Sequence, residues 1–172
     1  MKLFKLIPIS LLVIGTFSIN PFLFAENKNS ENYKVLRSDN DKLSIKNVQI
    51  FLNEGDRLIK RGEFEKAKYS YDKGRNLAKQ LVGFYRDLSG AFRGLDARIP
   101  REMDSKGRNS LKALAEANSR LAAWYKGKNQ PEVAVPLLVE IIKLMSPSSP
   151  EGKAAYGDLR EMGFVETSYQ GI

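Results

Sequence analysis

From Phe64 to Leu95, ten positions step by three and four residues without a slip: Phe64, Ala67, Tyr71, Gly74, Ala78, Leu81, Tyr85, Leu88, Phe92 and Leu95. Only a helix keeps such a series on one side, because 3.6 residues make a turn. The run predicts one long helix of ~50 Å at 1.5 Å per residue. It also demands partner helices along most of that length. Four glycines oppose it. Gly74, Gly83, Gly90 and Gly94 each cost ~1 kcal/mol relative to Ala in a helix interior. A kink or break near Gly83 is expected, or else fraying at Gly90–Gly94.

The same spacing appears on either side. From Ser44, the positions Ile45, Val48, Phe51/Leu52, Gly55 and Leu58/Ile59 recur at threes and fours. Ser44 is the expected cap, and Gly62 ends this first helix in the left-handed conformation. A third helix is expected from about Pro100 to Lys126, with Leu111, Leu114, Leu121, Trp124 and Tyr125 as its apolar content. Pro100 biases Arg98 and Ile99 away from helix, and Asp104–Gly107 is a weak spot that would shift the start. Pro131 is pre-set for the first turn of a fourth helix. That helix is apolar on nearly all sides from Val133 to Met145, and is expected to be the most buried. Ser149-Pro150-Glu151 opens a fifth, closed by a Gly163 cap with Phe164 as its hydrophobic contact. No strand pattern of any length occurs. The fold class is all-α with about five helices, spanning residues 44–163, followed by a loose tail, 164–172.

Residues 1–25 read as a targeting segment. Lys2 and Lys5 precede the apolar run Leu6 to Ile19, Asn20-Pro21 breaks it, and Ala25 stands before a polar stretch. Cleavage after Ala25 is expected. The alternative is an uncleaved anchor, since residues 3–25 are just long enough to span ~30 Å of hydrocarbon. Either way the remainder is exported, to a periplasm, a thylakoid lumen if the host has one, or the outside. Residues 26–43 show no period and read as a flexible leader. The chain has no Cys and no His. Disulfides, lipid attachment through Cys, thiol chemistry, zinc sites on Cys or His and His-based triads are therefore excluded.

Residues 51–74 carry a further pattern. Phe51, Gly55, Leu58, Gly62, Phe64, Ala67, Tyr71 and Gly74 read as large, small, large, turn glycine, large, Ala, aromatic, small. Small Gly55 and Ala67 would let two antiparallel helices touch, with Gly62 in the turn between them. This segment (about 48–81) resembles a tetratricopeptide (TPR) helix pair. Glu54 departs from the repeat's usual leucine, and Lys79 from its closing proline, which suits a second helix that continues. A weaker echo lies 67 residues on (about 115–148), in Leu121, Ala122, Tyr125, Ala134, Leu138 and Ile141, with Asn129 in place of the turn glycine. Residues 150–163 would be the solvating end helix, and 82–114 do not fit the repeat. The resemblance implies peptide or protein binding without catalysis. Its groove is lined by the first helix of each pair, which by matching spacing places Gln49, Leu52, Asp56 and Lys60, then Glu116, Ser119, Ala123 and Lys126, along it.

Charge suggests a second surface. Residues 57–128 hold 18 basic and 8 acidic side chains, whereas the stretches on either side are slightly acidic. Lys68, Arg75, Lys79, Arg86 and Arg93 would form one cationic stripe on a continuous helix. Two readings follow: a docking face for something acidic (protein, anionic polymer or lipid surface), or a solvated helix face. Nucleic acid would suit the charge, but the export segment and the lack of any RNP, zinc or helix-turn-helix signature argue against it. The aromatics Tyr71, Tyr85 and Phe92 read as core, and Trp124-Tyr125 as a packing anchor between the third and fourth helices. An enzyme would have to work with Asp, Glu, Lys and Tyr alone, and the acidic residues sit singly among basic ones. No catalytic residue, metal ligand or cofactor is expected. The expected protein is a monomer that binds a protein or peptide partner, with membrane contact only through residues 1–25 if these are retained.

Overall fold

The computed structural model describes residues 42–169. The expected targeting segment, 1–25, and the expected leader as far as residue 41 lie outside the described residues. Five helices follow one another: α1 (Ile45–Lys60), α2 (Phe64–Ala91), α3 (Arg98–Gly127), α4 (Pro131–Met145) and α5 (Pro150–Glu161). They are antiparallel, and each packs on its neighbours in the chain, while α1 also reaches α3. The fold is all-α, and no strand occurs among the described residues.

Each helix boundary has a local cause. Ser44 caps α1 by accepting the Asn47 backbone N–H at 3.2 Å. Three connections share one device, a residue at positive φ that lets the chain turn back onto the helix end. Gly62 (φ +76°), Asn129 (φ +55°) and Gly163 (φ +71°) hold these positions. In each case the next N–H donates to a carbonyl five residues back: Glu63 to Leu58 at 2.9 Å, Gln130 to Tyr125 at 3.0 Å, Phe164 to Leu159 at 2.9 Å. Asn129 thus does the work of a glycine, as asparagine's short polar side chain tolerates this region. The expected hydrophobic contact at the last cap differs. Phe164 is exposed, and Val165 packs on the core instead.

The long helix α2 runs 28 residues and passes Gly83 without interruption. It ends at Ala91, and Gly94 adopts φ +87° in the turn beyond. Six seam positions are buried: Ala67, Tyr71, Gly74, Ala78, Leu81 and Tyr85. Leu88 and Phe92 are half-buried. The two ends of the series leave the core, with Phe64 48% and Leu95 80% exposed. Phe64 is the first residue of α2, and Leu95 lies beyond its end in the turn before α3.

Helix α3 starts two residues earlier than Pro100 suggested, and Arg98 and Ile99 are helical. The Asp96 carboxylate accepts the Arg98 backbone N–H at 2.9 Å and also pairs with the Arg98 guanidinium. Pro100 sits in the first turn, where its missing N–H would have had no helical partner. The Asp104–Gly107 weak spot is continuous helix. Ser89 donates its hydroxyl to Asp104 at 2.7 Å, and Ser110 donates to the Lys106 carbonyl at 3.0 Å. Helix α4 buries Ala134, Val135, Leu137, Leu138 and Ile141 but exposes Val139 and Pro136, so it has an outer face after all. Ser149 caps α5 by accepting the Gly152 N–H at 2.9 Å. Gly152 itself lies so close to the Ser146 carbonyl that any side chain there would collide with it.

The core runs the length of the stack, with Val48, Leu52, Leu81, Leu121 and Leu138 among its fully buried side chains. At the α1–α2 crossing, Gly55 faces the Tyr71 ring and Gly74 faces Leu52. Helix α2 is also fixed by charge. Arg75 donates to Asn118 Oδ1 of α3 at 2.5 Å and to Glu140 of α4 at 2.6 Å. Two neighbouring cations hold the half-buried Glu140, and although burial pushes its pKa up, the Arg75 and Lys79 contacts outweigh this and lower it.

Candidate functional site

The Gly62 turn brings the last turn of α1 beside the first turns of α2, and the C-terminal half of α3 closes the third side. Between them lies a pocket of about 480 Å³. Ile59, Phe64, Ala123 and Trp124 give it apolar walls, while Arg120 and Lys128 bring charge to its margin. Trp124 donates its indole N–H to the Phe64 carbonyl at 2.9 Å, which ties α3 to the start of α2. The Lys128 ammonium lies over both aromatic rings, 5.2 Å from the Trp124 centroid and 5.8 Å from that of Phe64, and is 3.4 Å from Glu65. Trp124 therefore ties α3 to the start of α2, a contact that its position in the sequence did not suggest.

Beside the pocket a polar network crosses all three helices. Asp56 of α1 accepts the Tyr71 hydroxyl at 2.7 Å and takes Arg120 as a fork, Nε at 3.0 Å and Nη2 at 3.2 Å. Glu116, one turn before Arg120, accepts the Gln49 amide at 3.0 Å. Burial pushes the Asp56 pKa up, but hydrogen bonds from Arg120 and Tyr71 outweigh this and hold it below its ordinary value. The Tyr71 phenol is pushed upward, chiefly by burial and then by the carboxylate beside it. A lowered carboxylate and a raised phenol are both displaced away from neutrality. They hold a fixed charge pattern at the pocket's edge.

The expected groove residues separate into distinct places. Gln49, Asp56 and Glu116 join in the network, and Ala123 lines the pocket. Ser119 lies, with Glu116, in a neighbouring hollow between α3, α4 and α5. Lys126 is spent on α5, at 3.1 Å from Asp158 and 2.6 Å from Glu161. Lys60 is exposed. Leu52 is fully buried and belongs to the core rather than to a groove wall.

The five stripe cations also divide. Lys68 pairs with Asp72 at 2.7 Å, Arg75 with Glu140 at 2.6 Å, and Lys79 with Glu140 at 3.5 Å. Among the described residues Arg86 pairs only with the exposed Asp87. Arg93 lies past the end of α2, so the helix does not carry the stripe that far. The residues that sequence reasoning passed over are Phe64 and Lys128 as pocket walls, and Arg120. A signal existed: Glu116, Arg120 and Trp124 stand four apart on neighbouring turns of α3, and Lys128 follows four residues later, just past the helix end.

Compared with family models, curated proteins and solved structures, the chain matches none of them.

Proposed function

We propose that this is an exported, non-catalytic binding or assembly factor, TPR-like in plan, that holds a peptide segment of a partner protein in the pocket between α1, α2 and α3. The observation that carries the reading is the pocket itself. Its volume lies within the ~300–1,000 Å³ of ordinary ligand sites. Its walls combine Trp124 and Arg120, residue types that dominate binding energy at protein interfaces, with Phe64 and Lys128. The TPR-like plan is supported by the antiparallel order, by Gly55 against Tyr71, and by the matching left-handed turns at Gly62 and Asn129. Export rests on the order of residues 1–25. N-terminal sequencing of the native protein would find Glu26 first if the segment is cleaved.

Trp124 is the chain's one tryptophan, so its emission reports on the pocket. Peptides carrying a bulky apolar residue should shift that emission on binding. Binding should persist at ~0.5 M salt, where the Debye length is a few ångströms, and be lost in Trp124→Ala. Peptides that bind without moving the emission, and bind Trp124→Ala equally well, would remove the pocket as the site.

A further inference from the structure

The far end of α2 holds a second cleft, distinct from the pocket at its start. It measures about 510 Å³ and lies between α2, α3 and the last turn of α4. Val82, Tyr85, Met103, Leu111 and Leu144 form an apolar floor. Gly107 adds no side chain to it, although a Cβ there would have room, 3.8 Å from the Tyr85 Cβ. Arg86 and Arg93 stand on one rim and Arg108 on the other. Arg93 and Arg108 make no ion pair among the described residues. Arg86 has only Asp87, and both side chains are more than two-thirds exposed, an arrangement worth little. The one acid in the cleft, Asp104, already accepts the Ser89 hydroxyl.

We infer that this cleft binds an acidic peptide segment with a bulky apolar side chain between its carboxylates. The charge is complementary, and guanidinium forks suit carboxylates. Spacing selects a peptide over a single anionic headgroup. Arg86 stands on the last turns of α2, Arg93 two residues past its end at Ala91, and Arg108 on α3, so the positive charge is spread along the cleft and calls for several spaced carboxylates. The open apolar floor between the arginines takes the side chain that lies between them.

The test is a fluorescence-anisotropy titration of the full chain with a fluorescein-labelled peptide of alternating Glu and Leu. Saturable binding is expected at ~50 mM salt, falling about tenfold or more at ~500 mM. The double reversal Arg93→Glu/Arg108→Glu should cost a similar factor. It breaks no pair in the fold, so its melting curve should match the wild type. Gly107→Leu fills the floor without altering charge and should weaken binding several-fold. Lys46→Glu/Lys153→Glu makes the same change in net charge on α1 and α5 and should leave affinity within about twofold. Equal losses in the two double reversals would show that net charge alone attracts the peptide, and would overturn the inference. So would undiminished binding of the arginine double reversal, or a cleft that takes phosphatidylglycerol vesicles in an Arg93- and Arg108-dependent manner while ignoring the peptide.

Discussion

The two halves of α2 use the same residue to opposite ends. In the first half the helix is crossed by α1, and a glycine on each helix keeps the crossing close. A Cβ on Gly55 of α1 would overlap the Tyr71 ring of α2, and one on Gly74 of α2 would reach within 2.9 Å of the Leu52 side chain of α1. In the second half, Gly83 and Gly90 have nothing within 4 Å of where a Cβ would stand. The seam there faces α3 and the open arginine cleft. A glycine's meaning is therefore set by what lies opposite it. Crowded, it makes a helix crossing possible; uncrowded, it only weakens the helix.

Gly55→Ala should give the largest effect. Tyr71 is buried and its hydroxyl is tied to Asp56, so the ring has no inexpensive way to move. Overpacking of this kind costs ~1–3 kcal/mol, and a denaturant melt should show a loss near the upper end. A melt equal to the wild type would mean that the crossing is looser than its geometry indicates.

Acid should come next. Asp56 and Glu140 both have folded pKa values below their ordinary values of 3.8 and 4.5. Burial opposes that lowering, and their cationic partners exceed it. A depressed carboxylate contributes stability that is fully present above its unfolded pKa and is lost as pH falls through the folded one. Stability should be flat above about pH 5 and decline below ~4.5. The loss should be partial, because both pairs are partly open to solvent. In Asp56→Asn the decline should be shallower.

Smaller and opposite in sign, Gly83→Ala and Gly90→Ala should each stabilise by ~0.5–1 kcal/mol through helix propensity alone. If either destabilises, the second half of α2 is crowded in a way that its open surroundings do not suggest. Smallest of all, Arg86→Ala should change stability within ~0.5 kcal/mol, since its ion-pair partner among the described residues is an exposed neighbour. Arg75→Ala, one helix face with Arg86 in the sequence, should cost more. It would leave the buried Asn118 Oδ1 without the Arg75 donor and the half-buried Glu140 with the longer Lys79 contact at 3.5 Å.

Local chemistry made much of this protein legible in its sequence. The all-α class, the caps at Ser44 and Ser149, and the left-handed turns at Gly62, Asn129 and Gly163 depend on residues a few positions apart. Apolar periodicity likewise located the five helices, because a helix needs a continuous face to bury. What lies opposite a face is not local. Nothing in the spacing of Lys68, Arg75, Lys79, Arg86 and Arg93 distinguishes them, yet tertiary contacts spend Arg75 and Lys79 on Glu140, 65 and 61 residues away along the chain, and leave Arg93 past the helix end. Leu52 and Asp56 stand one turn apart on α1, and only the approach of α2 and α3 makes one core and the other the hub of a charge network. The pocket beside Trp124 arises from the same cause. Helical period fixes which side chains share a face, while burial and pairing depend on which helix comes to meet it.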